Sequence, residues 1–86
     1  MSADGMEVRV LFFSVLRDVT GAAELAWTLP PGATVGDLLV EVFERWPRLR
    51  DWDASLLLAV DLEYSDRATP LRPGCEVAVM PPVQGG

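Results

Sequence analysis

Thr34-Val35-Gly36-Asp37-Leu38-Leu39-Val40-Glu41-Val42-Phe43-Glu44-Arg45-Trp46-Pro47 carries the clearest helical rhythm in the chain. Val35, Leu38, Leu39, Val42, Phe43 and Trp46 recur at helical spacing, so they share one face, while Asp37, Glu41, Glu44 and Arg45 fall on the opposite one. Thr34 is a good N-cap, and Asp37 three residues later is placed to bond back to its backbone. Pro47 disfavours helical geometry at Trp46, which sets the end. One apolar stripe on one helix needs a sheet to cover.

Upstream, Met6 to Phe13 alternates. Met6, Val8, Val10 and Phe12 face one way, and Glu7, Arg9, Leu11 and Phe13 the other. Ser14 to Gly21 reads as a connection with room for a short helical piece. Glu24 to Leu29 alternates again and pairs with the first strand as an antiparallel hairpin, ended by Pro30-Pro31-Gly32. Downstream of the helix, Arg48 to Ser55 reads as a polar loop carrying Trp52. Leu56 to Leu62 follows as an apolar strand with Leu56, Leu58, Val60 and Leu62 toward the core. A short strand is expected near Tyr64, turns at Pro70, Pro73 and Gly74, and a last strand from Cys75 to Met80. Cys75, Val77 and Val79 point inward there.

The order strand, strand, helix, strand, small strand, strand predicts an α+β fold of the β-grasp, ubiquitin-like kind, with the last strand returning to the middle of a mixed sheet. Residues 1–80 form the expected domain and 81–86 an extended tail. One helix covers one sheet face, so the other is left to solvent or a partner. If the first, third and last strands are neighbours, Leu11, Phe13, Leu57, Ala59 and Met80 line that open face near the root of the tail. A contiguous apolar patch of this kind suggests a protein interface.

Composition narrows the function. The 86 residues suffice for one core, and the net charge of −6 comes with arginine as the sole basic residue type. An acidic chain with no basic cluster is poorly suited to nucleic acid or an anionic membrane and better suited to a basic protein surface. The longest apolar run is too short to span a bilayer, the first residues lack a signal-peptide pattern, and a lone cysteine fits a reducing compartment. Cytoplasmic is the expected location. With no histidine, metal sites and triads that depend on it are absent. No phosphate-cradling glycine motif is present, so no cofactor is expected. Asp51/Asp53 and Asp61/Glu63 read as surface charge, and Cys75 as an inert core residue.

What is left is Pro81-Pro82-Val83-Gln84-Gly85-Gly86. The proline pair stops a strand and launches the tail in a fixed direction. The glycines strip side chains from around the terminal carboxylate, so another protein's backbone can close on it. Val83 to Gly86 reach about 13 Å at roughly 3.3 Å per residue. A carboxylate is a poor electrophile until adenylated. It is then open to a sulfur donor, giving a thiocarboxylate, or to an amine, giving conjugation.

These residues together resemble a known family. Val10-Leu11-Phe12-Phe13-Ser14-Val15-Leu16-Arg17 with Gly21, Leu58-Ala59-Val60-Asp61, Pro70-Leu71, Gly74, Glu76-Val77-Ala78 and the tail from Pro81 to Gly86 are similar, in the same order, to the small subunit of molybdopterin synthase. That family more often has Asn at Asp61 and aromatic residues at Val79 and Met80. The resemblance implies a sulfur carrier. Gly86 would be adenylated by an E1-like enzyme using ATP and converted to a thiocarboxylate by a sulfurtransferase. The tail, Pro81 to Gly85 included, would then enter the large subunit to deliver sulfur to cyclic pyranopterin monophosphate. Catalytic acids and bases would belong mainly to that partner, within a heterotetramer. Related alternatives are a carrier for thiamine or tRNA thiolation and a ubiquitin-like modifier. A non-covalent interaction domain is the alternative from a different class.

Overall fold

A computed structural model describes residues 5–82. Five strands occur among them: β1 (Met6–Phe12), β2 (Glu24–Leu29), β3 (Leu57–Val60), β4 (Glu63–Tyr64) and β5 (Glu76–Met80). Their order across the sheet is β2-β1-β5-β3-β4. β1 and β2 form the expected antiparallel hairpin, with Met6 opposite Leu29. β5 enters the middle, parallel to β1 and antiparallel to β3. This is the β-grasp arrangement.

The helix α2 (Val35–Arg45) is capped as its sequence requires. Thr34 Oγ1 accepts from Asp37 N at 3.2 Å, and Asp37 Oδ2 accepts from Thr34 N at 2.9 Å. Replacing the capping hydroxyl, Thr34→Ala, is expected to lower stability by about 1 kcal/mol in urea unfolding. Val35, Leu38, Leu39, Val42 and Phe43 pack against Val8, Val10 and Phe12 of β1 and Val77 and Val79 of β5. Trp46 closes this layer, edge-on to Phe12, with the Arg45 guanidinium 4.7 Å above its ring. Trp27 extends it, donating from Nε1 to Glu41 Oε1 at 2.8 Å. The charged side of α2 thus holds an indole as well as facing water.

The connection after β1 contains the short helix α1 (Val15–Thr20), which buries Leu16 and ends at Gly21 in the left-handed conformation. Two expectations need correction. Pro47–Ser55 is a 3₁₀ helix, not a polar loop. Leu49 and Trp52 stand three residues apart, the 3₁₀ repeat, so both meet the core despite four charged neighbours, Arg48, Arg50, Asp51 and Asp53. Leu62 does not continue the inward alternation of the third strand. The strand ends at Val60, and Asp61 and Leu62, with φ of 50° and 73°, form the two-residue turn into β4. Both positive φ values mark a type I′ hairpin turn, which throws Leu62 outward to 92% exposure. Leu56 keeps its contact with the core from just outside the strand.

Candidate docking face and tail root

Every second residue of β1, β5 and β3 points away from α2, and these side chains build one surface. Leu11, Phe13, Ala59, Leu62, Tyr64, Glu76, Ala78 and Met80 enclose a shallow apolar groove of about 260 Å³. The pairings that bring them together are Leu11 beside Ala78 and Ala59 between Ala78 and Tyr64. Of the five residues expected on this face, Leu11, Phe13, Ala59 and Met80 line the groove. Leu57 is not one of its walls; it pairs with Met80 at the groove's end. Leu62 and Tyr64 were not expected here. The turn chemistry of Asp61 hid the first, and the two-residue length of β4 gave Tyr64 no alternation to read.

Phe13 is 45% exposed and Tyr64 79% exposed, so the large side chains of the face are open to a partner. One flank is polar. Arg9 Nε lies 2.7 Å from Glu24 and its Nη1 3.4 Å from Glu76, an exposed network that lays charge along the hairpin side of the groove. Asp61 has a structural task. Its backbone N–H donates to Glu76 O at 2.9 Å, its Oδ1 accepts from Glu76 N at 3.0 Å, and its Oδ2 meets Arg72 Nη2 at 3.2 Å. The turn and the start of β5 are thereby fastened together. Asp53 is likewise paired, with Arg67 Nη2 at 2.6 Å.

The tail leaves from the centre of the sheet. Met80 pairs with Leu57 of β3, and Phe13 N donates to Val79 O at 3.3 Å, so the last ladder bonds flank β5 on both sides. Pro81 then offers no N–H, and the strand stops with both prolines half-buried. The tail residues Val83, Gln84, Gly85 and Gly86 lie outside the described residues. The Cys75 thiol is buried in the core cluster and is not part of the groove's lining. Among the described residues no cluster of three or more metal-ligating side chains occurs, and no helix is long and apolar enough to cross a membrane.

The model of the ThiS family matches residues 10–86, from the middle of β1 through the glycine pair. This chain belongs to the ThiS family. Curated relatives agree over nearly the whole length. A molybdopterin synthase sulfur carrier subunit from Arabidopsis thaliana is 31% identical, covering 94% of this chain and 84% of the relative. The protein of the same description from Homo sapiens is 34% identical, with 93% and 94% covered. Among solved structures, the Haloferax volcanii HVO 2177 protein superposes with a TM-score of 0.88 at 28% identity, covering 100% of this chain and 92% of the other. The ThiS match begins in the first stretch quoted for the family resemblance and ends in the last.

Proposed function

We infer that this chain is the sulfur-carrier subunit of a molybdopterin synthase. The observation that carries the reading is the juxtaposition at the end of β5. A central strand ends at a proline pair, and the strand's outward residues form one wall of an open apolar groove. A partner that closes on the groove also receives whatever follows Pro82. The names borne by the full-length relatives support the synthase over the other members of the fold.

In this reading Gly86 supplies the working carboxylate. An E1-like enzyme adenylates it with ATP, the adenylate makes the acyl carbon electrophilic, and a sulfurtransferase supplies the sulfur that displaces AMP. The adenylate is an electrophile on a chain with no lysine of its own to acylate, and the thiocarboxylate that replaces it is a nucleophile. Residues Pro81 to Gly85 carry it into the large subunit, whose side chains provide the proton transfers while cyclic pyranopterin monophosphate is converted to the dithiolene. The carrier itself contributes position. Its sheet face fixes the tail's origin, and glycine lets the pocket close tightly around the reacting end. Location in a reducing cytoplasm keeps buried Cys75 a thiol. Reconstitution tests the reading: the thiocarboxylate form, mixed with the matching large subunit and the pterin precursor, is expected to yield molybdopterin, and the carboxylate form none. Equal yields from both forms would remove sulfur carriage from this chain.

A further inference from the structure

We propose that Leu62 is an anchor for the large subunit, held at the far end of the groove by a turn that the domain alone would build with glycine. The proposal rests on the sulfur-carrier reading above. Three described residues other than glycine have positive φ: Ser14, Asp61 and Leu62. Aspartate tolerates the left-handed region because its short polar side chain bonds locally, as Asp61 does to Glu76 N. Leucine has no such compensation, and its Cβ crowds the following carbonyl. The second position of a type I′ turn is where Asp-Gly is the favoured pair.

Packing within the domain does not offset that strain, since Leu62 is 92% exposed. An exposed leucine alone would be ordinary. An exposed leucine in an unfavourable backbone conformation, on the wall of the apolar groove, is not. Its place along the groove identifies the occupant. Val60 pairs with Val77 and Leu57 with Met80, so the turn stands at the Glu76 end of β5. That end is about 13 Å from Met80 at roughly 3.3 Å per residue. Four residues follow Pro82. The protein whose pocket takes them lays its adjoining surface over Met80 first, and Leu62 is reached when that surface runs the length of the groove.

Glu63 and Glu76 flank this end and the chain carries a net charge of −6, so the matching surface is an apolar recess edged by arginine or lysine. Asp61, fastened to Glu76 and Arg72, presents the leucine in a fixed position and so reduces the ordering required on binding.

Two readouts of opposite sign test this. Leu62→Gly is expected to raise the melting temperature of the isolated protein by about 4 °C, because glycine fits the turn. The same change is expected to weaken binding of the large subunit roughly tenfold or more by calorimetric titration. Leu62→Met, which keeps an apolar side chain, is expected to retain most of the affinity. If the wild type binds and Leu62→Gly binds equally well, the anchor is refuted while the carrier reading stands. A lower melting temperature for Leu62→Gly would also refute it, by showing that leucine serves the domain itself. Failure of the wild-type protein to bind the large subunit would overturn both.

Discussion

Deletion of Gly86 is expected to abolish sulfur delivery and leave the fold intact. The truncated chain still ends in a glycine carboxylate, so the loss would come from reach and not from missing chemistry. Each extended residue contributes roughly 3.3 Å, whereas a misplacement of about 1 Å in a reacting group can cost around a hundredfold in rate. Under the proposed mechanism, withdrawing the terminus by a full residue would take it out of both the adenylation pocket and the transfer pocket. The core ends with Val79, and the last described strand with Met80, so the melting temperature should match the wild type. Mass spectrometry after incubation with the activating enzyme, ATP and the sulfur source should show no thiocarboxylate on the truncated chain. Thiocarboxylation and full synthase activity after the deletion would move the working group elsewhere.

Phe13→Asp is expected to weaken binding of the large subunit by roughly a hundredfold or more, with the fold retained. Phe13 lies just past β1, outside the core cluster, and is 45% exposed on the groove. Covering its free surface supplies on the order of 1–2 kcal/mol. A carboxylate in its place adds the cost of burying an unpaired charge, which is larger. Circular dichroism and thermal melting check that the domain persists, and titration against the large subunit measures the loss. Phe13→Leu should keep most of the affinity. Wild-type affinity for Phe13→Asp would place the partner on another surface.

The fold was largely legible because its local signals agree with one another. The Thr34–Asp37 box, the stripe from Val35 to Phe43 and the alternation of Met6 to Phe12 each point to one buried layer, and the structure assembles that layer. The middle position of β5 was legible through the same logic, since Val77 and Val79 are apolar inward and have strands on both sides. Two segments were misread for the same physical reason. Between Arg48 and Ser55 the many charges obscured a three-residue period linking Leu49 and Trp52. At Asp61-Leu62 the hydrophobicity of leucine concealed a turn that Asp-Gly would have announced. Both errors weigh side-chain polarity over backbone geometry. The second concealed part of the groove, so Leu62 and Tyr64 emerged only when β3 and β4 were seen to fold over as a hairpin.

In the proposed mechanism the groove and the tail root act together: the sheet sets where the tail begins, and the partner decides where it goes. The central claim is that sulfur travels on Gly86. Intact mass measurement of the protein isolated from its native cells, followed by fragmentation of its C-terminal peptide, tests that claim most directly. A fraction with one oxygen replaced by sulfur, localised to Gly86, is the predicted result. A uniformly unmodified Gly86 carboxylate in cells actively making molybdopterin would contradict it.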